Sequence, residues 1–213
     1  MDKIGILNTF FNKLGLNLIE FLDHYQNQFF PKTKIEKSTV FRNLINNCLD
    51  EQQQDFINRI CDLPNRDSRT PTEYARDLVI SWLIEDILQV YLGLSKNGAD
   101  SQRDFLKKGQ IKYDSDFIHN DRHLELYVNF TNYWTKTKKI DLRMDKYQHL
   151  VDNNALLLGI AFESCQFFLI DFEKENLIFN ENYNYFWKKK CYTCQKYDNF
   201  HDISEIKNFL NRI

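Results

Sequence analysis

Hydrophobic residues recur at helical spacing from the first turns of the chain. Ile4, Leu7, Phe10, Phe11 and Leu14 share one face. After Gly15 so do Leu18, Ile19, Leu22, Tyr25 and Phe29, as far as Pro31. A third stretch from Ser38 carries Phe41, Leu44, Ile45 and Leu49, and a fourth carries Phe56, Ile57 and Ile60 before Pro64. Residues 1–63 therefore read as helical. The polar run Pro64-Asn65-Arg66-Asp67-Ser68-Arg69 is the best boundary, giving a helical N-terminal subdomain (1–66) and a second region (67–213). Thr70-Pro71-Thr72-Glu73 then predicts a helix start, with Thr70 as N-cap, Pro71 in the first helical position and Glu73 closing a capping box. That helix should run through Trp82 and Ile87 to Gly93. Its apolar residues cover much of its surface, as packing on a sheet requires.

The period then changes from 3.6 to two. Residues 110–118 and 122–130 predict two strands around a tight Asn120-Asp121 turn. Leu124, Leu126, Val128 and Phe130 alternate with Glu125, Tyr127, Asn129 and Thr131, which implies one core face and one polar face. A helix is expected over 142–152 with Asp141 as N-cap. Two continuous apolar runs, 155–162 and 166–172, read as strands buried on both faces. The tail from Glu173 is aromatic and basic and should end in a short helix over 203–213. The order helix, strand, strand, helix, strand, strand predicts an α/β protein with a mixed β-sheet core flanked by helices.

Composition narrows the class. The 213 residues are 43% hydrophobic and 27% charged, as in a globular chain. The net charge of −2 and a pI near 6.2 argue against coating a polyanion by bulk charge, but leave room for local basic patches. Five cysteines, an odd number without disulfide-scaffold spacing, suit a reducing cytoplasm. Met1-Asp2-Lys3 leads into an amphipathic stretch, so no signal peptide is expected, and no run is apolar enough for a membrane span.

The hairpin register places candidate chemistry. With Asn120 and Asp121 as the loop, Phe117 faces Leu124, Asp116 faces Glu125, Asp114 faces Tyr127 and Lys112 faces Asn129. Opposed residues have Cβ atoms roughly 5 Å apart, and opposed like charges destabilise a sheet. A divalent cation is one reason for the pair, since Mg²⁺ is held by one or two carboxylates with waters and phosphate oxygens. A solvated strand face with both carboxylates wet is the other reading.

The element order, with Glu73 in the leading helix, Ser115-Asp116-Phe117 and Leu124-Glu125-Leu126-Tyr127 on the hairpin, resembles the PD-(D/E)xK nuclease superfamily, the restriction-endonuclease-like fold. Lys139 to Tyr147 would open the following helix and Leu156 to Ile160 the next strand. The resemblance covers about residues 70–172. It implies a Mg²⁺-dependent DNA endonuclease of restriction or repair type, with RNA an open alternative. Asp116 and Glu125 would bind metal, with Glu73 as third carboxylate. The family usually has Lys where this chain has Tyr127, a phenol that can donate a hydrogen bond but carries no positive charge. A cation from elsewhere would then stand at the attacking water: Lys146 first, with Lys139 and Lys112 as others. If none does, the fold would serve as an inactive nucleic-acid- or protein-binding module. A homodimer would suit cutting two strands related by a two-fold axis.

Further residues admit two readings each. Glu73 is equally a helix cap. Lys136, Lys138, Lys139 and Arg143, with Lys146, grip phosphates or solvate a loop and helix start. Tyr183, Tyr185, Phe186 and Trp187 beside Lys188, Lys189 and Lys190 stack bases or pack on the sheet. Cys191 and Cys194 form a lone CxxC with only His201 near, short of the four ligands of a structural zinc. His119 and His123, flanking the turn, read as surface residues. There is no P-loop, GxGxxG, GxSxG or HExxH.

Overall fold

A computed structural model of the chain describes residues 3–16, 51, 55, 57, 59–60, 70–97, 114–185 and 188–212. The expected helices over 18–29 and from Ser38, the boundary at 64–69, residues 110–113 with Lys112, and Phe186 and Trp187 lie outside the described residues. The chain divides into two compact units, 1–87 with 102–111 and 88–101 with 112–213.

In the first unit, α1 spans Lys3–Lys13 and buries Leu7, Phe10, Phe11 and Leu14. It ends where Gly15 takes φ 72°, with Gly15 N donating to Asn12 O and Leu16 N to Phe11 O. These are the two bonds of a Schellman cap. Glu51, Asp55, Ile57, Arg59 and Ile60 are helical, with Ile57 and Ile60 buried. Helix α2 spans Pro71–Leu92. It starts as expected: Thr70 N donates to Glu73 Oε2 at 2.9 Å and Glu73 N to Thr70 Oγ1 at 3.3 Å. Gly93, at φ 68°, closes its other end. No helix among the described residues is long and apolar enough to cross a membrane.

The second unit contains two sheets. The larger joins β1 (Ser95–Lys96), β2 (Phe117–His119), β3 (Arg122–Asn129), β5 (Leu156–Ala161), β6 (Gln166–Asp171) and β9 (His201–Asp202), in that order. All its pairs are antiparallel except β3–β5. The crossover between those two carries α3 (Tyr133–Thr137), β4 (Ile140–Arg143) and α4 (Met144–Asp152). The smaller sheet is antiparallel, in the order β4, β8 (Lys189–Cys194), β7 (Phe179–Asn184). A short helix, α5 (Ile206–Leu210), closes the chain.

Two expectations need correction. Residues 114–116 are not strand, so among the described residues the first hairpin strand is only Phe117–His119. Residues 140–143 form strand β4 instead of opening a helix, and Asp141 is a buried strand residue, not an N-cap. The pattern Ile140-Asp141-Leu142 alternates, and that is strand chemistry. The aromatic and basic tail contributes β7 and β8, a pair of strands that the sequence pattern did not predict.

The core lies between the sheets. Trp134, Ile140, Leu142, Leu150, Leu157, Phe168, Ile170 and Cys194 form one buried cluster, with Tyr127, Tyr147 and Phe179 packed against it. All six β5 residues are buried, as the continuous apolar run predicts. Gly159 is required at its centre. A Cβ there would lie 2.0 Å from Cζ of Phe168, its partner on β6. The Phe168 ring occupies that space and meets Trp134 at 5.1 Å and Tyr197 at 5.2 Å.

A charged fork ties the ends of β3 and β6. Arg122 donates from Nη1 and Nη2 to Asp171 at 2.8 and 2.6 Å, and from Nη2 to Asn154 O at 2.9 Å. The bidentate bond from Arg122, with the N–H of Glu173, holds the Asp171 carboxyl down at about 2. Its folded value lies below the ordinary 3.8, so this stabilisation is complete above about pH 4 and is lost as pH falls through about 2. Asp171→Asn should lower stability at neutral pH by roughly 1–3 kcal/mol and flatten the acid limb of a denaturation profile. An acid limb unchanged from that of the wild type would show that the fork does not set it.

Candidate functional site: a covered carboxylate pair

The hairpin has the register read from its turn. Phe117 pairs with Leu124, Ile118 with His123 and His119 with Arg122. Asn120 and Asp121 both take positive φ, 48° and 60°, as a two-residue type I′ loop demands. One step beyond β2, Asp116 stands opposite Glu125. Its Oδ2 accepts from Leu126 N at 2.7 Å, and the Glu125 carboxylate is near enough to raise the proton affinity of its carboxyl group.

The face they occupy differs from the expected wet one. Glu125 pairs with Leu157 and Tyr127 with Gly159, so these side chains point where the core cluster lies. Glu125 is only 5% exposed, and Tyr127 meets Trp134 edge-on at 5.2 Å. The cause is the crossover, which lays α4 and the second sheet over this face. Leu124 and Leu126, on the opposite face, are buried too.

Lys146, in the first turn of α4, donates its ammonium to Glu125 Oε1. The same ammonium lies 5.7 Å from the centre of the Tyr127 ring. With both carboxyl groups ionised, the trio carries a net charge of −1. Burial first, and then the Glu125 carboxylate, push the Asp116 carboxyl up to about 7, against the opposing pull of Lys146 and the Leu126 N–H. A covered pair of carboxylates, one holding a proton near neutrality, is a donor set whose repulsion a hard divalent cation relieves. Asp116 and Glu125 therefore fit Mg²⁺ as ligands. Among the described residues no group of three or more His, Cys, Asp or Glu gathers as a metal cluster. Glu73 belongs to the first unit, and its carboxylate serves the α2 cap.

Imidazoles border the pair. His123, two residues before Glu125, shares a 2.6 Å hydrogen bond from Nδ1 with Oγ of the buried Ser115. His149, one turn after Lys146, meets His123 edge-on at 6.3 Å. Burial, and then His123, push the His149 imidazole below its ordinary value. His119 bonds the carbonyl of Leu210 at 3.0 Å. Neither turn histidine is the surface residue expected, since both are half-buried.

The basic residues fall into two groups at opposite ends of β4. Lys136, Lys138 and Lys139 precede the strand, and Lys138 is ion-paired to Asp198. Arg143 ends the strand opposite Cys191, one residue from Lys190, and pairs with Asp145 at 3.4 Å. Lys188, Lys189 and Lys190 are all exposed.

Asp141, expected as an N-cap, is instead the centre of a buried polar cluster. This carboxylate accepts from Thr193 Oγ1 at 2.7 Å, Asn184 Nδ2 at 2.8 Å and the Tyr133 hydroxyl at 3.0 Å. Burial and Asp141 push that phenol up to about 12. On β8, alternation turns Cys191 and Cys194 to opposite faces, which separates the CxxC thiols.

No family model matches the chain, and neither a curated protein nor a solved structure matches it.

The raised Asp116 value has a consequence for stability. A carboxyl whose folded pKa lies above its ordinary 3.8 holds a proton that the unfolded chain has lost. Stability therefore falls as pH rises from about 4 to about 7. Asp116→Asn, which still accepts from Leu126, should remove this slope and raise the midpoint of thermal unfolding at pH 8. The rise should be about 2–4 °C for each kcal/mol relieved. A variant that is less stable than the wild type at pH 8 would mean that the pair is not under electrostatic strain.

Proposed function

We propose that this protein is a Mg²⁺-dependent endonuclease that hydrolyses phosphodiester bonds in DNA, on a restriction-endonuclease-like core. The observation that carries the reading is the Lys146 ion pair. A cation reaches Glu125 from α4, beside Asp116, in a chain that has Tyr127 where the resemblance calls for Lys. The order of α2, the β2–β3 hairpin, α4 and β5 supports it as well. So does the cost of leaving two carboxylates on a covered face, since a site that stabilises a bound state need not be optimal for the free protein.

Asp116 and Glu125 would hold the metal. Bound there, Mg²⁺ would supply Lewis acidity toward a water and a phosphate oxygen. The remaining work falls to the chain's own groups. Glu125 fixes Lys146, and Lys146 orients the attacking water and stabilises charge on the phosphate. Tyr127 offers its ring to the ammonium and contributes no charge. The water oxygen forms a bond to phosphorus, the bond from phosphorus to one sugar oxygen breaks, and that oxygen leaves with a proton taken from solvent. The proton lost by the water passes to solvent. Lys136, Lys138 and Lys139 at one end of β4, and Arg143 with Lys188, Lys189 and Lys190 at the other, are the phosphate-gripping groups. A homodimer would present two such sites to the two strands of a duplex.

The test is cleavage of plasmid DNA with Mg²⁺ and with a chelator. Cleavage by the wild type in Mg²⁺ alone is expected, together with a loss of 100-fold or more in Glu125→Gln, on the order of a lost transition-state contact. Lys146→Ala should lower kcat about 100-fold and change the Kd for DNA only a few-fold. A wild-type protein that binds DNA without cutting it would instead favour a binding module on the same fold. Undiminished cleavage by Glu125→Gln would put the metal elsewhere.

A further inference from the structure

We infer that the outer end of the β7–β8 ribbon is a stacking platform for the unpaired bases of single-stranded DNA. The inference rests on the proposed function only in taking DNA as the polymer. Register and alternation define the platform. Tyr183 pairs with Lys190, Glu181 with Tyr192 and Phe179 with Cys194. One face of the ribbon therefore carries Phe179, Glu181 and Tyr183 from β7 and Tyr192 and Lys190 from β8, and the turn beyond it adds Tyr185, whose ring meets Tyr183, and Lys188.

The two ends of this face differ. At the inner end, Tyr147 of α4 stacks on Tyr192 at 4.3 Å and meets Phe179 at 5.2 Å. Between Phe179 and Tyr185 the strand runs outward by about 20 Å. At the outer end, Tyr185 is 85% exposed and Tyr183 44%. Their rings stand edge to face at 5.1 Å, so the pair is already arranged. Lys190 is paired with Glu181 at 2.6 Å, whereas Lys188 and Lys189 have no carboxylate partner among the described residues. Among the described residues three ammonium groups stand against one carboxylate at this end, with Lys189, the partner of Asn184, on the ribbon's other face.

The chemistry selects the ligand. Exposed tyrosines present a flat apolar face with a polar tip, and unpartnered lysines beside them suit phosphate oxygens. In a duplex the faces of the bases are occupied by their neighbours, so a ring on a protruding ribbon can stack only on a base that is unpaired. The platform is also held firmly. Asn182 and Asn184 point to the other face, where they donate to Thr193 Oγ1 at 3.3 Å and Asp141 Oδ2 at 2.8 Å.

Fluorescence anisotropy of a labelled oligothymidylate, and of a duplex of equal length, in chelator tests this without any cleavage. The full chain should bind the single strand through these rings as well as the duplex through its basic groups. Tyr185→Ala should weaken that binding about tenfold, the scale of one lost stacked base, while Tyr185→Phe retains it. Lys188→Gln should reduce the slope of log affinity against log salt by about 0.7. Both positions are exposed, so the variants keep the fold. Equal affinity of Tyr185→Ala and wild type for the single strand, or an equal loss on the duplex, overturns the platform and leaves the carboxylate site to be judged by plasmid cleavage. Loss of cleavage in Glu125→Gln with oligothymidylate binding intact supports both independently.

Discussion

The architecture of the second unit depends on one constraint, the parallel pairing of β3 with β5. Two parallel strands cannot be joined by a tight turn, so the chain from Phe130 to Ala155 must cross one face of the sheet. Everything that makes this face unusual travels in that crossing. Trp134 covers Tyr127, β4 founds the second sheet, and α4 brings Lys146 to the hairpin and Tyr147 to the second sheet. A strand face that would be wet in an isolated hairpin becomes an interior surface.

Two acidic groups, Asp171 buried and Asp116 half-buried, show how differently such surroundings treat a carboxylate. Asp171 receives a guanidinium fork and backbone N–H groups, and its proton affinity drops. Asp116 receives one N–H and a second carboxylate, and its proton affinity rises. The first arrangement lowers the energy of the free protein. The second raises it, and a bound cation would relieve that strain under the proposed function. Lys146 offsets part of the repulsion without removing it, so the pair remains a strong acceptor site.

The hairpin and its register were legible because Asn120-Asp121 specifies a two-residue loop, and register then follows by counting. The α2 cap and the doubly buried β5 were legible for the same reason, each being set by a few adjacent residues. The sense of the β3 face was not. Alternation tells which residues share a face, but the covering of that face comes from residues 133–152, whose own strand, β4, is four residues long and was hidden in a helix-like run. Asp141 was misread as a cap because Asp before an apolar segment is a good cap signal, and the competing partners are Asn184 and Thr193, far along the chain. That Lys146 would reach Glu125 could be suspected from the missing motif lysine, though distance in sequence could not establish it.

Asp141 also bears on how fast the fold comes apart. Its bonds to Asn184 and Thr193 close loops of 43 and 52 residues. Joints of that span form only after much of the chain is already ordered, because loop closure must precede them. Interactions absent from the folding transition state act on the reverse rate. The second sheet is thus fastened by a polar knot that does little for the speed of assembly and lengthens the lifetime of the assembled unit.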